Sequence, residues 1–145
     1  MEINGLPAHP LLVHVVVVLL PLAAIGGILV SLWPAAQRKL TFLVPLAAVV
    51  GTAVVPLTTK AGHALEDTLG QTTPAIDTHA GYGEKVIWFA VVFAVATVVQ
   101  WWLLRGKGPS AAVRWIVAAV VVVSAVGVLT IVVLTGDSGA RAVWG

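Results

Sequence analysis

Four long apolar segments constrain this chain more than any other feature. They run roughly over Leu11–Trp33, Leu40–Thr58, Val86–Leu104 and Ala111–Leu134. A helix rises about 1.5 Å per residue, so each can cross a hydrocarbon layer of about 30 Å. Of the 145 residues, 59% are hydrophobic and 10% charged, and a soluble domain of that size cannot hide so much Val, Leu, Ile and Ala. The expected fold is therefore all-α, an integral membrane four-helix bundle in one domain. Its spans cover residues 11–33, 40–58, 86–104 and 111–134, and the longest polar stretch is an outer loop at 59–85. The leading stretch MEINGLPAHP carries an acid and no Lys or Arg, unlike a cleavable signal peptide.

Charge sets the expected topology. One side of the membrane holds Arg38, Lys39, Arg105, Lys107 and Arg114 with no acid. The other holds Lys60, Lys85 and Arg141 with Glu2, Glu66, Asp67, Asp77, Glu84 and Asp137. The first sum is +5 and the second is 3 − 6 = −3. The positive-inside rule assigns the +5 side to the cytoplasm. The spans then form two out–in–out hairpins, with both termini extracytoplasmic. Trp33, Trp101, Trp102 and Trp115 fall near the inner boundary, and Trp88 and Trp144 near the outer one, as indole rings prefer. The basic residues thus serve topology, and no nucleic acid is implied. The partner expected first is the lipid bilayer.

Prolines and small residues mark the helices. Pro10 precedes span 1, Pro21 lies inside it and Pro34 ends it. Pro45 and Pro56 lie in span 2. Ala23 with Gly27, and Ala47 with Gly51, recur at spacing four and permit close helix contact. Ser110 suits a cap for span 4, and Asp77 or Thr78 a cap before span 3. The first part of the outer loop, up to Gly70, can continue span 2 as helix. Span 2 exits through LTTKAGH and span 4 through LTGDSGA, both reading L-T-x-x-x-G. This echo relates the hairpins as a parallel repeat.

All four histidines, His9, His14, His63 and His79, fall near the outer face. His14 sits inside VHVVVV, where an imidazole needs a partner. Helical geometry places His9 about 140° around the axis from it, so the two do not naturally share an ion. Imidazole suits Zn, Cu, Ni and haem iron. Haem b needs axial ligands from facing helices, for which His14 with His79, or His63 with His79, are candidates. A Cu or Zn site would draw on His63, His79 and the acidic rim of Glu66, Asp67 and Glu84. Two other readings stand beside these: histidines satisfied structurally by Thr58, Thr59 or nearby carbonyls, with no cofactor, and histidines that handle protons or ions. No Cys is present. No phosphate loop, HExxH, dinucleotide fingerprint or G-x-S-x-G elbow appears, and no enzyme mechanism emerges.

The segment His9-Pro10-Leu11-Leu12-Val13-His14 resembles the DUF2231 family of small bacterial membrane proteins, in which His-Pro-x-x-x-His opens the first span. An aromatic residue and a Pro usually follow there, where this chain has Val15 and Val16. The family's closing G-x-L-G-G-x-L-V-Tyr-like segment is similar to Gly136–Trp144, which matches at Gly136, Gly139 and Val143 and has Trp144 in place of Tyr. The resemblance implies the four-span topology and makes His9 and His14 family positions, without naming what they bind. Some relatives look like partners of redox proteins. The functional expectation is a subunit of the bacterial cytoplasmic (inner) membrane, binding haem b or a metal near the outer face and supporting electron transfer. The alternatives are an accessory or scaffold subunit of a larger membrane complex, and a small-solute or ion transporter built as a homo-oligomer.

Overall fold

The computed structural model describes residues 2–3 and 5–145. A short antiparallel ribbon pairs β1 (Glu2–Ile3) with β2 (Leu6–Pro7). Five helices follow: α1 (Ala8–Leu32), α2 (Pro34–Leu40), α3 (Leu43–Leu69), α4 (Pro74–Leu104) and α5 (Ala111–Trp144). Four of them, all but α2, are long and apolar enough to cross a membrane. The protein is an all-α membrane bundle.

The proline positions explain several helix starts. Pro10 and Pro45 are the third residues of their helices and Pro74 the first of its own. A first-turn N–H has no intrahelical acceptor, so its absence costs little. Helix α1 therefore begins at Ala8, before Pro10, and both His9 and His14 are helical. Trp33 takes an extended conformation ahead of Pro34, which ends α1 and starts α2.

The polar stretch 59–85 is mostly helix. Helix α3 continues to Leu69 and ends at Gly70, whose φ of 67° suits a left-handed cap. Only four residues, 70–73, separate it from α4. The cap of α4 is Thr73, whose hydroxyl accepts from the Ile76 N–H, and not Asp77 or Thr78, which lie inside the helix. Pro74 moves the helix start upstream by pre-setting the first helical φ. Ser110 caps α5 by accepting from the Val113 N–H.

The long helices form a ring in the order α1, α3, α4, α5, so α1 lies diagonally across from α4. The two ends of the bundle differ chemically. The histidine end gathers the starts of α1 and α4 with the ends of α3 and α5. The basic end gathers α2 and the 105–110 turn. Between them the interior is filled by Leu20, Phe93, Val121 and Val128, all fully buried.

The two halves of the chain repeat one another. A shift of 70 positions carries buried Val16, Leu20, Ala23, Ala24, Gly26, Gly27 and Val30 of α1 onto Val86, Ala90, Phe93, Ala94, Ala96, Thr97 and Gln100. Those are all of the buried residues of α4. A shift of 77 carries buried Val44, Ala48, Gly51, Val55 and Ala61 of α3 onto buried Val121, Ala125, Val128, Val132 and Ser138 of α5. Five of these twelve pairs share a residue type, all Val or Ala. What repeats is which face turns inward, so helix-hairpin α1–α3 and helix-hairpin α4–α5 pack as pseudo-two-fold mates. Size is exchanged across the axis: Leu20 reaches to 2.8 Å from where a Gly51 side chain would start, while their counterparts are Ala90 and Val128.

Candidate functional site: a histidine pair on the pseudo-two-fold

His9 is the second residue of α1. Its Nδ1 lies 2.9 Å from the Thr58 carbonyl oxygen on α3. His79 stands near the start of α4, and its Nδ1 lies 3.0 Å from the Thr135 carbonyl oxygen on α5. The shifts that align the helices carry His9 to His79 and Thr58 to Thr135, so one interaction is built twice. Each threonine hydroxyl bonds back to its own helix, Thr58 to Val54 and Thr135 to Ile131, and leaves its carbonyl to the imidazole.

A glycine completes each clamp. A Cβ on Gly62 would lie 3.1 Å from both Cε1 and Nδ1 of His9. A Cβ on Gly139 would lie 2.9 Å from Cε1 and 3.1 Å from Nδ1 of His79. Both glycines are helical, so they are needed for the close approach of the ring and not for backbone freedom. In each case Nε2 is the ring nitrogen farther from the glycine, at 3.9 and 3.7 Å. The second clamp has one extra member: the Ser138 hydroxyl donates to the Thr135 carbonyl at 2.9 Å and accepts from His79 Nδ1 at 3.3 Å. Its counterpart is Ala61.

The two rings meet edge to face, with centroids 6.1 Å apart and planes at 84°. A carbonyl oxygen only accepts, so each Nδ1 must carry the proton. In a neutral imidazole of that tautomer, Nε2 is a bare lone pair. Two half-buried imidazoles thus lie side by side where the helices of both halves converge, each held through Nδ1 by a helix carbonyl.

The other candidates lie elsewhere. His14 is exposed on the outside of α1, and its Nδ1 bonds the Pro10 carbonyl of its own helix at 2.5 Å. His9, not His14, takes the Thr58 carbonyl, and the opening His-Pro-x-x-x-His motif sends its two imidazoles in different directions. His63 pairs with Glu84 across α3 and α4, with Nε2 to Oε1 at 3.4 Å and both side chains more than half exposed. This contact is not duplicated, since the same shifts lead to Ala140 and His14. Glu66 and Asp67 lie further along α3. Among the described residues, no group of three or more His, Asp or Glu comes together in a way that could hold a metal ion. The acidic rim therefore does not join His63 and His79 in one cluster. The pair that does assemble, His9 with His79, follows from the tertiary arrangement. Its clamp residues Thr58, Gly62, Thr135 and Gly139 are the ones marked by the repeated L-T-x-x-x-G, the signal through which sequence could have found them.

No curated protein and no solved structure matches the chain. A family described as "predicted membrane protein (DUF2231)" matches residues 5–145, which include the clamps of both halves. The chain belongs to the DUF2231 family of membrane proteins.

Proposed function

We propose that this protein is a metal-binding membrane subunit whose ligands are His9 and His79. The observation that supports this reading is the shared tautomer: both Nδ1–H groups are committed to helix carbonyls, and both Nε2 lone pairs are left for another partner. Metal-ligating histidines almost always donate their other ring N–H to a carbonyl, carboxylate or water, which holds the ring and raises its basicity. The ring centroids lie 6.1 Å apart, and sharing one ion at about 2 Å from each nitrogen requires both Nε2 atoms to turn toward it.

A bare ion suits these residues better than haem b does. A porphyrin extends several ångströms sideways from its iron, and Gly62 and Gly139 already bring the backbones of α3 and α5 against the imidazole edges. The wide apolar groove of about 560 Å³ on α4 and α5, lined by Trp88, Phe89, Val92 and Val123 among others, contains no histidine. Conduction through a single chain is disfavoured by the packed interior below the pair.

The positive-inside rule orients the basic end to the cytoplasm. In a bacterial inner membrane the histidine pair then faces outward with both termini, where a redox protein or larger membrane complex can reach it. The test is elemental analysis of the protein purified in mild detergent, with oxidised and reduced visible spectra on the same sample. Stoichiometric metal, lost in His9→Gln and in His79→Gln but kept in His14→Gln, is expected. A colourless, metal-free protein after metal and haem supplementation would sink this reading and favour a non-catalytic accessory subunit.

A further inference from the structure

We infer that the groove on α4 and α5 seats the acyl chain of a phospholipid whose phosphate lies at Lys85. The site is separate from the histidine pair and does not depend on the metal-binding reading. Its volume is about 560 Å³, within the span of about 300–1,000 Å³ usual for small-molecule sites. Depth matches one leaflet. Phe89 of α4 lies level with Gly127 of α5, where a Cβ would stand 2.9 Å from the Phe89 ring. The groove continues from there to Ala119, eight residues deeper along α5. That is about 12 Å at 1.5 Å per residue, against about 15 Å for half of the hydrocarbon layer.

The rim supplies the polar end. Lys85 is the last charged residue of α4 before Arg105, so it marks the membrane boundary at the histidine end. Lys85 and Trp88 are three residues apart on one helix and share a face. The Lys85 ammonium lies 5.6 Å from the centroid of the Tyr82 ring, which holds it above the groove. The Trp88 indole, 72% exposed, forms the upper wall, and its N–H only donates. An ammonium and an indole donor over an apolar slot complement a phosphate with a hydrocarbon tail. A second copy fits less well. A two-fold axis along the membrane normal would bring both Lys85 side chains to the same height, where like charges repel.

The pseudo-two-fold provides an internal comparison. The same shifts carry Val92, Val123 and Gly127 to Leu22, Leu46 and Val50, each larger and each exposed. They carry Tyr82, Lys85 and Trp88 to Leu12, Val15 and Val18. The hollowed surface, the cation and the indole therefore coincide on one half of a fold whose buried faces repeat. Packing common to both halves does not account for them.

The experiment uses the full chain in phosphatidylcholine bilayers that contain some phosphatidylglycerol with a photoreactive diazirine in one acyl chain. Cross-links are mapped by mass spectrometry. Labelling at 88–92 and 119–127 should exceed that at the counterpart residues 18–22 and 42–50. One lysine near a membrane surface is worth about fivefold in affinity for an anionic lipid, so unlabelled phosphatidylglycerol should compete about fivefold better than phosphatidylcholine. Lys85→Gln should remove that advantage. Gly127→Val drives the Phe89 ring into the groove and should reduce labelling to the level of the α1–α3 face. Val123→Phe, at a position 72% exposed, fills the groove without entering the core and should do the same even if Gly127→Val fails to fold. Equal labelling of the two faces, or labelling that survives both filling variants, would overturn the site. Competition unchanged by Lys85→Gln would overturn the phosphate assignment. Cross-links between two copies at these residues, in place of lipid, would overturn the proposal in favour of a dimer.

Discussion

Replacing Gly139 by alanine tests the clamp directly. The new Cβ would lie 2.9 Å from His79 Cε1, whereas ordinary contact begins at 3.4 Å, so the ring must retreat by about 3.4 − 2.9 = 0.5 Å. His79 Nδ1 already stands 3.3 Å from the Ser138 hydroxyl and 3.0 Å from the Thr135 carbonyl. A retreat of that size breaks the first contact and stretches the second to the edge of hydrogen bonding. Losing the bond costs about 1 kcal/mol, and overpacking a fitted contact about 1–3 kcal/mol. Alanine recovers about 1 kcal/mol of helix propensity. The net expectation is destabilisation of about 1–3 kcal/mol. Gly62→Ala needs a retreat of only about 3.4 − 3.1 = 0.3 Å and should cost less. Gly136→Ala, one turn away with open space around it, should gain up to about 1 kcal/mol. Denaturation in detergent measures the order, and ¹⁵N spectra of labelled histidine report the Nδ1–H tautomer of His79 without any metal. Gly139→Ala as stable as Gly136→Ala, with the tautomer unchanged, would refute the clamp.

Four further outcomes are expected. Phe93→Ala, at a fully buried position packed toward Gly27, should destabilise the bundle by about 3–5 kcal/mol in the same denaturation assay. Gly51→Ala places a Cβ 2.8 Å from the fully buried Leu20 side chain and should cost about 1–3 kcal/mol, partly relieved by Leu20→Ala in a double-mutant cycle. Thr73→Ala removes the cap of α4 and should cost about 1 kcal/mol, read as earlier hydrogen exchange over the first turn containing Ile76. Labelling of single cysteines at positions 38 and 66 in intact cells should mark 66 and spare 38; the reverse would invert the topology.

The spans were legible in the sequence because lipid demands long apolar helices whatever their neighbours are. Charge asymmetry and proline positions followed from equally local rules, and the Ser110 cap from one side chain. Local rules read the polar run 59–85 in part: span 2 does continue as helix as far as Gly70, while the cap before span 3 is Thr73 and not Asp77 or Thr78. Its residues form helix because α3 and α4 extend beyond the apolar segments and pack there, Ala61 buried in one and His79 bonded across from the other.

The sequence by itself determined the class of fold, the number of spans and the end of the bundle where imidazoles collect. Which histidines meet was decided only by tertiary structure. His14 has the more apolar surroundings in sequence, and His9 looks like a polar lead-in. Starting α1 at Ala8 turns His9 toward α3 and His14 outward, because five residues on a helix rotate a side chain by about 140°. Pairing His9 with His79 further requires two diagonal helices to be brought together by two hairpins of like design. That is a relation between chain halves 70 residues apart, carried by which faces are buried and by small residues that admit a ring. No local pattern around either histidine contains it.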